Sequence, residues 1–229
     1  MLMLNTYGSA LLASTLLVLA AIPSEGLAQS QPRTCFYAVD IDGRPARLCE
    51  GDDVYDFANN VNVRRAIETL GLQSKTIRFR GCEGADYSTA KATDEAGHAI
   101  YKITYPLDKD GRYFAPIVHE LAHVLQMDMA GGPIALDAYG SKKIELGADY
   151  TAGMVSATLL KDVDIRTFQH GLLLMGRYFD RSHDAHGTPE QRTTAFRRGR
   201  FFRSNEDVPD IRAAISHFYQ ETYAELVPN

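Results

Sequence analysis

The sequence predicts an α+β fold that is mainly helical, with a small sheet ahead of the longest helices. Two short stretches of alternating apolar and polar residues, at 76–79 and 98–105, are typical of β-strands. Apolar residues at helical spacing follow them and indicate helices at residues 114–127, 143–160, 165–179, 189–201 and 210–225. The chain has 229 residues, and without a leader its length suits a single domain.

The N-terminal segment, residues 1–28, is predicted to be a secretory signal peptide. A short apolar run at residues 10–22 is followed by small residues at Gly26 and Ala28, which suit cleavage before Gln29. The run is too short to span a bilayer comfortably. Because Lys and Arg are missing ahead of the run, a membrane anchor and a buried helix stay as alternatives. We expect a secreted or periplasmic protein whose mature chain has no stable membrane span.

Charge limits the partners that can be expected. The formal net charge is −5 at pH 7, and removal of residues 1–28 takes away one acidic residue, Glu25, which leaves −4. A mildly acidic chain is a poor match for the phosphate backbone of nucleic acids. We therefore expect no nucleic-acid binding, whereas the charge says little about the substrate and the oligomeric state is left open.

The three cysteines predict one disulfide in an oxidising compartment. Cys35 and Cys49 lie symmetrically about Asp42 and Gly43, a strong hairpin-turn pair. A Cys35–Cys49 disulfide across this hairpin is one hypothesis, with Cys82 as the odd thiol. Pairing of Cys35 with Cys82 is the alternative. A metal-binding role for Cys82 lacks the cysteine spacing that would favour it.

The next predicted elements are a helix at residues 53–70, which Gly71 would end, and the two strands. The apolar residues that recur on one side of this helix are Val54, Phe57, Val61 and Ile67. The strand at 98–105 alternates between two faces and ends at Pro106. An exposed edge of the sheet there can pair with an extended peptide, and an ordinary core strand is the alternative.

The helix at residues 114–127 carries the pattern that says most about function. His119 and His123 are four residues apart, so a helix places both imidazoles on one face. Two neutral imidazoles suit a catalytic zinc ion, and Glu120 between them can act as general base on a zinc-activated water. Apolar neighbours strengthen this interpretation, because polar side chains inside an apolar helix are costly unless a metal satisfies them. A helix that merely contains two histidines is the alternative.

The helix at residues 143–160 is expected to supply the third ligand. Glu145 and Asp149 are also four residues apart and share a face. Small residues in this stretch let the two helices approach closely, so Glu145 can join His119 and His123 at one metal ion. Asp149 can accept a hydrogen bond from a ligand histidine and so determine its tautomer. Two surface acids are the alternative.

These two patterns resemble those of the gluzincin class of zinc metallopeptidases. The stretches HELAHVLQ, from His119, and ELGADYTAG, from Glu145, are most similar to bacterial neutral zinc metallopeptidases and also to the core of HtpX-like membrane peptidases. The resemblance implies a zincin-like fold with the small sheet packed on the active-site helices. It implies that the two histidines and Glu145 bind zinc, that Glu120 is the base and that Asp149 supports a ligand. The chain departs from the membrane enzymes because no internal transmembrane helix is predicted, so their substrates do not carry over.

A third element is similar to the same families. His186 is followed six residues later by Arg192, and the resemblance implies that both side chains face the substrate carbonyl. The segment suits a loop that leads into a helix, with Arg192 one turn inside it. The alternative is that His186 caps the helix while Arg192 pairs with a surface acid such as Glu190 or Asp184.

Taken together, the patterns predict a secreted or periplasmic zinc-dependent peptidase whose catalytic domain spans residues 29–229. The expected cofactor is Zn²⁺, and the expected partner is a peptide or protein substrate. A catalytically silent zincin-like domain for binding or envelope assembly is the first alternative, and a helical binding protein without metal is the second. Glu120 argues against the silent domain, because a non-catalytic metal site has no need of a base.

Overall fold

The computed structural model describes residues 51–83, 85–107, 113–159, 186–205 and 210–227, without the side chains of residues 204 and 205. Within these ranges a three-stranded sheet is followed by helices, so the α+β, mainly helical class is confirmed. The described residues belong to one compact unit within residues 32–229. The predicted leader at 1–28, the Cys35–Cys49 hairpin and the helix at 165–179 lie outside the described residues.

The sheet contains two predicted strands and one that was not predicted. Its strands are β1 (Thr76–Cys82), β2 (Ser88–Thr93) and β3 (Ala99–Pro106). The order is β1–β3–β2, and the central β3 is parallel to β1 and antiparallel to β2. The sequence did not predict β2, because this strand consists of small and polar residues together with one lysine and lacks the apolar alternation that is typical of a strand.

The first described helix, α1, spans Val61–Thr69 and is shorter than the predicted helix at 53–70. Asn60 caps it, because its side chain accepts hydrogen bonds from two backbone N–H groups of the first turn. The prediction that Val54 belongs to the apolar side of this helix is therefore wrong. Val54 and Val61 are both exposed, since a local cap decides where this helix begins more strongly than apolar spacing does.

Three long helices agree with their predictions apart from a few residues at their ends. They are α2 (Phe114–Ala130), α4 (Ser141–Leu159) and α5 (Pro189–Asn205), and a short α3 (Pro133–Asp137) joins the first two. A tight turn joins α2 to α3, because Gly131 ends α2 at a φ of 85° and Pro133 begins α3. Every residue of α2 from Ala115 to Met127 is buried, so each polar group within it needs a partner.

Two glycines bring α4 and α5 into backbone contact. A β-carbon on Gly153 of α4 would lie 2.1 Å from the carbonyl oxygen of Phe196 in α5. A β-carbon on Gly199 of α5 would lie 1.9 Å from the carbonyl oxygen of Tyr150 in α4. Both distances are far shorter than van der Waals contact, so only glycine fits at these two positions. The register between α4 and α5 is thereby restricted.

The C-terminal helix is interrupted where the sequence predicted one continuous element at 210–225. It consists of α6 (Ile211–His217), a π-helical turn (Phe218–Thr222) and α7 (Tyr223–Leu226). Asp210 caps α6, accepting a hydrogen bond from the backbone N–H of Arg212 at 2.9 Å. The π-helical turn adds one residue to a single turn, which apolar spacing does not reveal. In the part of the chain described, none of the helices is both long enough and apolar enough to cross a membrane.

Candidate metal centre

The three side chains predicted as metal ligands converge in the interior. His119 and His123 come from successive turns of α2, and Glu145 comes from the start of α4. One ligand atom from each residue lies within 4.8 Å of the others. The two histidine Nε2 atoms are 3.1 Å apart, and the Glu145 oxygens lie 3.2 Å and 3.6 Å from Nε2 of His119 and His123. This buried group can hold a metal ion.

Hydrogen bonds on the far side of each imidazole determine which nitrogen faces the group. The Nδ1 atom of His119 lies 2.9 Å from Oδ1 of Asp149, which only accepts when ionised. The Nδ1 atom of His123 lies 2.8 Å from Oε1 of Gln126, whose amide nitrogen donates to the carbonyl of Ile144 at 2.9 Å. This network assigns a proton to Nδ1 of each ring. A neutral ring then turns the lone pair of Nε2 toward the centre.

When both rings are neutral, the centre therefore brings three acceptors together. Two Nε2 lone pairs and the Glu145 carboxylate face one another at separations of 3.1 to 3.6 Å. Such groups repel unless a proton or a cation lies between them. Two imidazoles and one carboxylate are a donor set that zinc and other divalent transition metals accept. The chemistry of the site therefore fits a dication.

The charges of the buried side chains around this group also favour a divalent cation. Three carboxylates, those of Glu120, Glu145 and Asp149, are fully buried. Among the described residues, the only buried cationic side chain of the Lys or Arg type is Arg192. With all three carboxylates ionised and both imidazoles neutral, the state in which a metal would be bound, two negative charges would stay uncompensated, and uncompensated buried charge is costly. One divalent cation would cancel them.

The carboxyl groups of Glu145 and Asp149 are held in their ionised forms. Burial raises the pKa of Glu145, but His123 and His119 outweigh burial and bring its pKa well below the ordinary value. Burial likewise raises the pKa of Asp149, and Arg192 and His119 reverse that effect to a net lowering. Burial lowers the pKa of His119, whereas Asp149 and Glu145 more than compensate and raise it to about 9. In the metal-free protein, an incoming metal ion must therefore displace a proton from His119.

Glu120 lies beside this group and is held by the unpredicted strand. The hydroxyl of Thr89, on β2, lies 2.8 Å from Oε2 of Glu120 and 3.0 Å from its backbone carbonyl oxygen. The other carboxylate oxygen, Oε1, is buried and has no hydrogen-bond partner among the described residues. Burial raises the pKa of Glu120, while His123 and His119 oppose that rise. One restrained oxygen, one unengaged oxygen and a raised pKa suit a group that accepts and returns a proton.

Arg192 supports the ligands from α5. Its Nε and Nη2 atoms donate to the two oxygens of Asp149 at 2.7 and 2.9 Å, and Asp149 in turn contacts His119. Arg192 therefore pairs with a buried acid rather than with a surface acid such as Glu190 or Asp184, and its predicted role toward a substrate carbonyl stays a prediction. His186 is buried ahead of a turn at Gly187, which has a φ of 82°. The predicted role of His186 toward a substrate stays a prediction.

Sequence reasoning assigned no role to Thr89 or Gln126. Thr89 lies in a strand that apolar alternation does not mark, so no sequence signal pointed to it. Gln126 follows His123 by three residues, and this spacing puts it within reach of the same helix face. Cys82, at the end of β1, is not part of the metal-binding group. Cys35 and Cys49 lie outside the described residues, so the pairing among the cysteines stays open.

Comparison with protein-family models, with curated proteins and with solved structures finds no match for this chain. The resemblance to gluzincin metallopeptidases therefore rests on the three short sequence elements and stays a prediction. What the structure adds is independent of that resemblance: the contacts, burial and charge of the side chains themselves.

Proposed function

We propose that this chain is an exported zinc-dependent peptidase of the gluzincin type. The observation that carries the proposal is the convergence of His119, His123 and Glu145 as acceptors, with the buried carboxylate of Glu120 beside them. Two imidazoles and one carboxylate are the protein ligands of known catalytic zinc sites, in which a further coordination position serves water or substrate. Export is supported by the predicted signal peptide at residues 1–28.

The residues around the centre fit zinc and the roles proposed for them. Bound there, zinc would supply Lewis-acid polarisation of a peptide carbonyl and activation of water. Glu120 takes a proton from the attacking water through Oε1 as the new C–O bond forms. The same carboxyl group then gives that proton to the leaving amine as the C–N bond breaks. Thr89 keeps Oε2 in place throughout.

The supporting residues act on the ligands or on the developing charge. Asp149 holds the Nδ1 proton of His119, so that Nε2 is available to the metal, and Arg192 keeps Asp149 ionised. His186 is proposed as a donor to the oxyanion that forms on the substrate carbonyl. A donor in that position contributes on the order of 3 kcal/mol to catalysis.

One observation favours a second candidate, a silent zincin-like domain that serves binding or envelope assembly. The metal-binding group and Glu120 are fully buried, whereas a catalytic site needs a path for its substrate. In that case the metal would stabilise the fold, and Glu120 would only be a buried polar group that Thr89 partly satisfies.

The variant Glu120→Gln separates the two candidates. Purified zinc-loaded protein is incubated with a peptide library, with and without a chelator, and cleavage is followed by mass spectrometry. For a peptidase, Glu120→Gln lowers cleavage by roughly 10²–10⁴-fold while zinc content is unchanged, since the base is not a ligand. The exposed Glu190→Gln is the matched control and leaves cleavage intact. Wild-type cleavage rates in a folded Glu120→Gln protein would exclude the mechanism, and a zinc-loaded wild type without cleavage would favour the silent domain.

A further inference from the structure

A chain of hydrogen bonds connects the C-terminal helix with the ligand His123. The amide nitrogen of Gln126 lies 2.7 Å from the hydroxyl of Tyr219 and 2.9 Å from the carbonyl oxygen of Ile144. The amide oxygen of Gln126 lies 2.8 Å from Nδ1 of His123. Gln126 is buried, so water does not substitute readily for any of these contacts.

These contacts permit only one orientation of the amide. The NH₂ group of Gln126 has two hydrogens, and Tyr219 and Ile144 accept one each. The reversed amide would turn its oxygen toward the carbonyl oxygen of Ile144, which is repulsive, and its NH₂ group toward Nδ1 of His123. That arrangement would move the imidazole proton to Nε2, the nitrogen that faces the metal-binding group. The orientation of Gln126 therefore determines whether His123 can bind a metal.

Tyr219 is itself restrained on several sides. It belongs to the π-helical turn, and its ring stacks on Tyr139 at a centroid distance of 5.1 Å and an angle of 27°. The amino group of Lys143 lies 5.7 Å from the centre of the same ring. Gly147 of α4 makes room for this arrangement, because a β-carbon there would lie 2.9 Å from the amide nitrogen of Gln126 and 3.1 Å from the hydroxyl of Tyr219.

We propose that Tyr219, acting through Gln126, is a positioning residue that keeps His123 in its metal-binding tautomer. The two ligand histidines are then supported by different means. A charged pair, Asp149 and Arg192, holds His119, whereas a neutral amide and a phenol hold His123. The inference rests on the proposed metal-binding function, but not on peptide hydrolysis.

The test measures zinc affinity and the proton on His123 rather than activity. Zinc affinity is obtained by competition with a chromophoric chelator, and the Nδ1–H signal of His123 is followed by NMR of ¹⁵N-histidine-labelled, zinc-loaded protein. Tyr219→Phe should weaken zinc binding several-fold and speed exchange of the Nδ1 proton. Gln126→Met, which removes the acceptor at similar volume, should weaken zinc binding by roughly 10–100-fold.

Tyr223→Phe is the matched control. Tyr223 lies one turn further along the C-terminal helix, and Lys143 lies over its ring as well, at 5.1 Å. Zinc affinity should be unchanged in this variant. Equal losses in the Tyr219 and Tyr223 variants would mean that only packing is affected, and this would overturn the proposal. The proposal would also be overturned if Tyr219→Phe and Gln126→Met both kept wild-type zinc affinity and an unchanged Nδ1–H signal. A wild-type protein that binds no zinc would overturn it too. Zinc binding with the expected losses but without peptide cleavage would leave the proposal standing and reject only the peptidase function.

Discussion

Replacing Asp149 by asparagine tests the charged support beneath the metal centre. The carboxylate accepts three hydrogen bonds, from Nδ1 of His119 at 2.9 Å and from Nε and Nη2 of Arg192 at 2.7 and 2.9 Å. The side chains of Asp149 and Arg192 are 0% and 5% exposed, so solvent screens their interaction weakly. Asparagine has nearly the same shape but no charge, so it removes the negative charge that Asp149 places against the buried guanidinium of Arg192.

The expected loss of stability follows from that buried charge. Removing one partner of a buried ion pair costs about 3–5 kcal/mol in the free energy of unfolding. In an Arg192→Met background the same substitution should cost only about 1 kcal/mol, since one ordinary hydrogen-bonding contact is then altered. The difference of about 2–4 kcal/mol is the coupling between the two residues. Zinc affinity should fall in both backgrounds, by roughly 10-fold, because His119 loses a charged acceptor.

The assay is urea denaturation of the metal-free protein, followed by circular dichroism, for the wild type, the two single variants and the double variant. Because the pKa of Asp149 is lowered in the folded protein, its contribution is present above its unfolded pKa of about 3.9. The contribution disappears as the pH falls through the folded pKa, so the difference between wild type and Asp149→Asn should shrink in acid. A cost below about 1 kcal/mol at pH 7, or equal costs in both backgrounds, would refute the buried ion pair.

Three further predictions concern stability and protons. Burial raises the pKa of Glu120, so the stability of the metal-free wild type should fall as the pH rises from about 4.3 through the folded pKa. In urea titrations between pH 4 and 8, Glu120→Gln should lack this slope and should be more stable than the wild type at pH 7. Gly199→Ala should lower the free energy of unfolding by about 3 kcal/mol or more, because the added methyl group meets the backbone of Tyr150, and an unchanged urea midpoint would contradict the α4–α5 contact. His119 has a pKa raised to about 9, so its stabilising contribution to the metal-free protein should be complete below about pH 6.5 and disappear as the pH rises through 9. For the same reason, calorimetry of zinc binding in two buffers at pH 7 should detect about one proton released per zinc ion.

The candidate metal-binding group could be predicted because its geometry is mostly local. A helix brings residues four apart onto one face, so the pairs His119 with His123 and Glu145 with Asp149 each had a known relation before any tertiary contact was considered. Apolar spacing likewise located the three long helices. The predicted start of the first helix at residue 53 was wrong, because the side chain of Asn60 caps α1 and so begins this helix at Val61.

The sequence by itself determined which residue types lie on which helix faces, and hence which side chains were able to meet in the candidate metal-binding group. The tertiary structure decided what supports them. Thr89 and Glu120 are 31 residues apart along the chain, Asp149 and Arg192 are 43 apart, and Gln126 and Tyr219 are 93 apart. Such pairs depend on how separate elements pack. Thr89 lies in an edge strand without apolar alternation, and Tyr219 lies in a π-helical turn. The pairing of Asp149 with Arg192 depends on the register that Gly153 and Gly199 impose on α4 and α5. Helical periodicity contains no information about that packing, because it describes one element at a time.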